Sequence, residues 1–409
     1  MSGFGDFVLS PLVLRAIGEL GYETPSPIQA QAIPPVTDGR DVLGQAQTGT
    51  GKTAAFALPI IHRLAGRGNP PKGSGRRIRA VVMVPTRELA IQVCESFLKY
   101  AKYATLRIIA VYGGVNQALQ VRALRHGVDI LVATPGRMVD LMEQGFINLE
   151  RVETLVLDEA DMMFDMGFAP NLNFIMDRMP EKRQNLLFSA TMPGPIEQLA
   201  RKILKDPVRI ETVPERTPLE IIDHRVSPVP REVKADALEA YLRSVEIDRA
   251  IVFTRTKHGA DRVARILVRA GFATEAIHGD KRQNIRQRAL GDFKSGRVRV
   301  LVATDIAARG IDVSGVSHVV NYDMPLDAET YVHRVGRTGR AGAAGTALSL
   351  CAPEERRLLA AVERLIGKRV PVLPFKGARE AMARETVVET RRPFEESRLP
   401  GKGRRPARR

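Results

Sequence analysis

Cysteine is scarce: Cys94 and Cys351 stand alone in distant segments, with no CxxC and no histidine at metal-ligand spacing. That excludes a disulfide framework or a zinc cluster and leaves both thiols as small buried hydrophobes. Long apolar runs are missing as well. None approaches the roughly 20 residues needed to span a bilayer, and the opening MSGFGDFVLS has no basic start ahead of an apolar block. A cytoplasmic protein without a membrane partner is expected. Acid is in deficit, with 46 Asp and Glu against 62 Lys and Arg for a net charge of +16. A balance so far from neutral points to a polyanionic partner, nucleic acid before membrane. Apolar residues are plentiful, 44% of 409, which suits a globular chain too long for a single core.

Ala46 to Thr53 reads AQTGTGKT, after apolar Val42-Leu43 and before the helical pattern Ala54 to Arg63. A strand, a Gly-rich turn and a helix start bring backbone N–H groups and a helix N-terminus to one point, where phosphate oxygens can be held. Lys52 would then reach the β and γ phosphates of a nucleotide, and the Thr53 hydroxyl would sit on Mg²⁺. The general pattern has Gly where this chain has Ala46, and a plain turn ahead of a helix is the alternative. Further on, the apolar strand Leu155-Val156-Leu157 ends in Asp158-Glu159. Asp158 would order Mg²⁺, and Glu159 would orient and deprotonate an attacking water. Two acids can also merely open a helix, but the upstream P-loop favours the catalytic reading. In the turn-rich Thr24-Pro25-Ser26-Pro27 the prolines set the backbone for a helix opening at Gln29, whose amide suits the edge of adenine or an ordinary cap.

From Arg79 short β-branched runs alternate with helical patterns, which predicts an α/β fold with a parallel sheet covered on both faces. Polar clusters follow the strands, where ligands bind in such sheets: Pro85 to Glu88, Gly113-Gly114, Thr134 to Arg137, Asp158 to Asp161 and Ser189 to Thr191. Prolines at 207, 214, 218, 228 and 230 mark a change of character, with a linker at 207–219, after which the alternation resumes without a second P-loop. Leu131 to Thr134 recurs as Leu301 to Thr304, Thr86-Arg87 as Thr254-Arg255, and Tyr112-Gly113 is answered by His278-Gly279 at a near-constant offset. A duplicated lobe follows, offering strand-end hydroxyls, guanidinium groups and glycine amides in a row that suits a phosphate backbone. Arg334, Arg337 and Arg340 recur every three residues on one side of a helix or turn. A solvated basic face is the usual source of such a run, but the interleaved glycines favour arginine fingers that reach the nucleotide only when the lobes close. Residues 376–409 lack periodicity, and after Ser397 they carry Lys and Arg without acid, which predicts a disordered basic tail.

Taken in order, these motifs resemble those of DEAD-box ATP-dependent RNA helicases, most closely the bacterial RhlE-like subfamily, over about residues 4 to 351. Ala46 is that family's own P-loop form; Ser26 stands where Thr is commoner and Val335 where Ile is. The resemblance implies two tandem RecA-like parallel-sheet lobes: 1–206 with the ATP site, a linker at 207–219, a second lobe at 220–375, and the tail at 376–409. ATP with Mg²⁺ is the implied cofactor. It would be held by Phe4, Tyr22, Thr24 and Gln29 around adenine, by Gln47, Thr48, Gly49, Thr50, Gly51, Lys52 and Thr53 around the phosphates, and by Gly310 and Asp312 from lobe two. Thr53 and Asp158 would hold the metal; Lys52, Asp158, Glu159, Arg337 and Arg340 would carry catalysis. RNA, single-stranded or duplex, would be gripped without base reading by Thr86, Arg87, Gly114, Thr134, Arg137, Arg255, Gly279 and Thr304. Asp161, Ser189, Thr191 and His333 would couple the sites, and unwinding would be local. A DNA-directed enzyme of the same superfamily and an ATP-dependent RNA clamp that never unwinds stay open as alternatives, as do ribosome-assembly or RNA-decay complexes as partners.

Overall fold

The computed structural model describes residues 3–47, 49–66, 76–212, 218–308, 313, 315–339 and 345–375. Thr48, Gly310, Asp312 and Arg340, the middle of the expected linker and the whole expected tail lie outside the described residues.

Strands β1 (Val42–Gln45), β2 (Ala80–Met83), β3 (Ile108–Val111), β4 (Ile130–Ala133), β5 (Thr154–Leu157), β6 (Gln184–Ser189) and β7 (Val208–Glu211) form one sheet, in the order β3-β4-β2-β5-β6-β1-β7. Strands β8 (Ile222–Pro228), β9 (Ala250–Phe253), β10 (Thr274–Ile277), β11 (Val300–Ala303), β12 (His318–Asn321) and β13 (Gly345–Cys351) form the other, ordered β10-β11-β9-β12-β13-β8. Every pairing between these strands is parallel.

The central strands are buried on both faces, which is why they read as unbroken apolar runs. Successive side chains point to opposite faces. Val42 accordingly joins Ile28, Phe56, Phe97 and Phe188 in one core layer, and Leu43 joins Val81, Leu131, Leu157 and Ile196 in the other. The second sheet divides in the same way, with Val252, Val302 and Val320 on one face and Ile251, Leu301 and Val319 on the other. Both cysteines are free and buried; burial pushes Cys94 up to about 12 and Cys351 to about 11. No helix among the described residues is long and apolar enough to cross a membrane.

The linker expected at 207–219 is shortened at its start. Val208–Glu211 pairs with β1 as the edge strand of the first sheet. Only Ile210 of these four is fully buried, so the run carries little apolar signal, and the nearby prolines masked it.

The order of strands sorts the polar clusters. The ends of β1, β6 and β5 lie side by side and carry the P-loop, Ser189 and Asp158-Glu159, whereas β3, β4 and β2 carry Gly113-Gly114, Thr134 and Thr86-Arg87. In the second lobe β10, β11 and β9 are likewise contiguous and lead into Gly279, Thr304 and Arg255.

Candidate nucleotide and RNA site

Gly49 at φ 82° and Gly51 at φ 97° bend the P-loop through conformations that side chains rarely adopt, and Gly51 then caps the helix Lys52–Ala65. The loop is held from outside. The Ser26 hydroxyl donates to the Thr50 carbonyl (2.7 Å) and Gln29 Nε2 to the Gly51 carbonyl (3.2 Å), while Gln29 Oε1 accepts from the Ser26 N–H (2.9 Å). Gln29 therefore braces the phosphate loop, a role the sequence did not suggest. Thr50 Oγ1 donates to the Gln47 carbonyl inside the turn (2.8 Å). Phe4, buried, stacks against Tyr22 with ring centroids 5.7 Å apart, and the Tyr22 hydroxyl bonds that of Tyr100 (2.9 Å). Thr24 is exposed beside them, and Thr53 is half-buried in the first turn after Lys52.

Lys52 is 5% exposed, and its Nζ stands 3.8 Å from Asp158 Oδ1. Both atoms are buried without a hydrogen-bond partner among the described residues. A cation and a carboxylate oxygen left in that state suit a phosphate and a metal ion between them, which is the fit ATP with Mg²⁺ requires. Burial raises the Asp158 carboxyl against the pull of Lys52. Glu159 is pushed up to about 7, first by burial, with Asp158 adding to the shift and the Lys52 and Arg337 charges opposing it. Its backbone is left-handed, φ 54° and ψ 52°. A bulky residue in that region signals strain kept for a purpose.

Asp161 joins this centre to the next strand end. Its Oδ2 accepts from the Ala190 N–H (3.2 Å), the Thr191 N–H (2.9 Å) and Thr191 Oγ1 (2.9 Å), and the Asp161 N–H donates to Ser189 Oγ (3.2 Å). His333 lines a crevice on lobe two with Phe253, Asp305 and Arg337.

The arginine run divides. Arg334, 2% exposed, is clasped by Asp305 (Nε–Oδ1 2.5 Å, Nη2–Oδ2 2.9 Å) and donates to Asn321 Oδ1 and the Asp323 carbonyl. It holds the lobe together, and the helix Ala328–Val335 ends between it and Arg337, although both line the same crevice. Arg337 Nε donates to the His333 carbonyl (3.2 Å), and the charge of this side chain acts on Glu159 of lobe one.

On the other half of the cleft Thr86 caps the helix Arg87–Tyr100 through the Leu89 N–H (3.2 Å). The Arg87 guanidinium lies across the glycine pair: a Cβ on Gly114, whose φ is 78°, would meet its Nη1 at 2.1 Å. Thr134, 7% exposed, precedes the helix Pro135–Glu143, and Arg137 from that helix pairs with Asp140 (3.2 Å) and keeps a buried Nη1 without a partner among the described residues. Gly279 is exposed, Thr304 half-buried, and Arg255 is 42% exposed.

Sequence reading missed the contact that joins the lobes here. Glu88 Oε1 accepts from Gln283 Nε2 (2.9 Å) and lies 2.9 Å from Arg286 Nη2, with all three residues buried, and Gln287 Nε2 reaches the Tyr112 hydroxyl (3.4 Å). Gln283 and Arg286 have the i, i+3 spacing of one helix face. Nothing local says that this face meets another lobe.

Profiles of two families match the chain: DEAD/DEAH box helicase over residues 26–199 and helicase conserved C-terminal domain over residues 233–342. It is 46% identical over 372 residues to the ATP-dependent RNA helicase DeaD of Haemophilus influenzae, covering 90% of this chain but 59% of that protein. It is 42% identical over 390 residues to the ATP-dependent RNA helicase CshA of Listeria monocytogenes, covering 95% and 74%. The structure superposes on that of Saccharomyces cerevisiae Dbp5 bound to RNA and ADP BeF3 with a TM-score of 0.80 at 30% identity, covering 95% of this chain and 99% of that one. A score that high over that span needs both lobes in one arrangement. The RhlE-like expectation gains nothing from relatives named DeaD and CshA. With the two family profiles and identities above 40%, this chain belongs to the DEAD-box family of ATP-dependent RNA helicases.

Proposed function

We propose that the chain hydrolyses ATP when RNA lies across both lobes and uses closure of the cleft to part RNA duplexes locally. What supports this reading is the burial of Lys52 Nζ and Asp158 Oδ1 without hydrogen-bond partners among the described residues, next to Glu159, on which the charge of Arg337 from lobe two also acts. Neither lobe alone holds that set. Lys52 and the Gly49 to Thr53 amides bind the phosphates, Glu159 orients the attacking water and takes its proton, and Arg337 meets charge that develops on the γ-phosphate. Thr53 and Asp158 are the groups that would hold Mg²⁺, which would supply charge neutralisation at the phosphates. A half-buried or buried set of Thr86, Arg87, Thr134 and Arg137 at adjacent strand ends is suited to phosphates and 2′-hydroxyls. The cytoplasm is the setting expected from a sequence without a membrane-spanning run, and ribosome assembly and RNA decay are the two kinds of work left open; RNAs crosslinked to the protein in cells would tell the two apart.

Glu159→Gln keeps the shape of the site and removes the base. Turnover should fall by about a hundredfold or more, the scale of general-base loss, while ATP and RNA still bind. Turnover within a few fold of the parent would overturn the assignment. ATPase assays with RNA against DNA and a duplex-unwinding assay complete the test: stimulation by DNA alone would make the enzyme DNA-directed, and retention on single strands without unwinding would make it a clamp.

A further inference from the structure

Arg255 follows β9 at the edge expected to meet RNA, and a long side chain there would ordinarily wander in solvent at an entropic cost to any contact it made. It does not wander. Nη2 donates to Glu355 Oε1 (2.9 Å) and to the Met324 carbonyl (3.3 Å), and the Arg255 N–H donates to Asp323 Oδ2 (2.8 Å). Glu355, 8% exposed, comes from the turn Pro353–Glu355 after β13, far along the chain. Its Oε1 also accepts from the Met324 N–H (3.2 Å), and its Oε2 from the Ala352 N–H (3.1 Å) and Lys234 Nζ (2.6 Å).

Lys234 is the unusual member. It is 1% exposed and sits in the first turn of the helix Lys234–Ser244, where the helix dipole disfavours a cation. It persists because Nζ also donates to the Tyr322 carbonyl (2.8 Å) and lies 3.9 Å from Asp323 Oδ1. Lys234 and Arg255 thus face Glu355 and Asp323, two charges of each sign. No step of ATP hydrolysis uses this group. It binds Arg255 through Nη2 and still leaves the side chain 42% exposed.

We propose that Glu355, itself fixed by Lys234, is a positioning residue that holds Arg255 for an RNA phosphate. The proposal rests on the reading that Arg255 faces RNA. With the fork pinned on one side, the free N–H groups point one way before RNA arrives, and a charge-assisted bond to phosphate costs less ordering when it forms.

The test compares Arg255→Ala with the double variant Lys234→Met/Glu355→Gln, in which the buried cation and anion leave together so that neither is stranded. Thermal melts establish that each is folded. Arg255→Ala should raise the RNA concentration for half-maximal ATPase by about tenfold, the scale of one charged hydrogen bond. The double variant should raise it in the same direction with the maximal rate and the KM for ATP at saturating RNA little changed. A merely structural role would lower the maximal rate instead. Combining both sets of changes should add nothing beyond Arg255→Ala, because they remove one interaction. Should the double variant unfold, Glu355→Asp carries the test: it keeps the charge against Lys234 but draws the carboxylate back, and the same shift should appear, smaller. If Arg255→Ala weakens RNA binding and the folded Glu355 variant does not, positioning by Glu355 is wrong. If Arg255→Ala itself has no effect, the RNA role of Arg255 is wrong, and the proposal falls with it.

Discussion

Glu159 occupies a left-handed backbone conformation that no local sequence rule demands of a glutamate. Its carboxylate lies in surroundings dry enough to raise its affinity for a proton, with the charges of Lys52 and Arg337 opposing the shift. A base that binds a proton more readily is a better acceptor from water, and Arg337 limits the shift by favouring the charged form. Arg337→Ala should therefore leave ATP affinity in the absence of RNA nearly intact and cut RNA-stimulated turnover by about 10³, the scale of a lost arginine finger. Equilibrium nucleotide binding and stimulated ATPase rates separate the two effects; lost ATP binding with stimulation preserved would place Arg337 elsewhere. The regular spacing of Arg334 and Arg337 hid opposite tasks. Arg334 has its donors satisfied within the lobe, and only the partners in space reveal that.

The P-loop is as much a product of the helix Pro27–Thr37 as of its own glycines. Gln29 and Ser26 reach the Gly51 and Thr50 carbonyls from that helix's first turn. Packing there is tight: a Cβ at Gly51 would lie 2.4 Å from Gln29 Nε2, at a φ of 97°. Gly51→Ala should cost about 1–3 kcal/mol in local strain and push Gln29 off the loop. Lower ATP affinity with a modest fall in Tm is expected, read by nucleotide titration and thermal melts. An unchanged affinity would show that the brace is dispensable. The edge strand β7 gives the converse lesson, since a four-residue run with one buried side chain has too little pattern to announce itself among prolines.

At the scale of the molecule, the contact between the lobes buries Glu88 against Gln283 and Arg286. A buried pair that loses one charge strands the other, at about 3–5 kcal/mol. In the open form Glu88 would be solvated, so the penalty falls on closing. Arg286→Met should thus reduce RNA-stimulated hydrolysis at least about tenfold, since each 1.4 kcal/mol is a factor of ten in the closed population. ATP binding without RNA should hardly change. Adding Glu88→Gln removes the stranded charge and should restore part of the rate, a sign that a polar but neutral contact suffices. If the second change instead compounds the loss, Glu88 acts on something other than closure.

Much of this protein is local chemistry and so was legible in one dimension. Apolar runs between polar strand ends declare buried parallel strands, because a strand covered on both faces has no polar side to show. The P-loop, Asp158-Glu159 and Ser189 to Thr191 are contiguous groups recognisable from residue type and spacing, even though their partners lie on other elements. Tertiary structure decided what depends on strand order and on contacts across the cleft. The order β3-β4-β2-β5-β6-β1 puts the groups suited to RNA on one half of the first sheet and those suited to nucleotide on the other, although along the chain the P-loop after β1 is parted from Asp158-Glu159 after β5 by all three strand ends suited to RNA. Arg334 and Arg337 were parted by the end of a helix, Glu88 found Arg286 on the second lobe, and Arg255 found Glu355. Each of these is a charge whose partner lies many residues away, and a charge's function is set by the burial and opposite charge it meets in space, which no local spacing encodes.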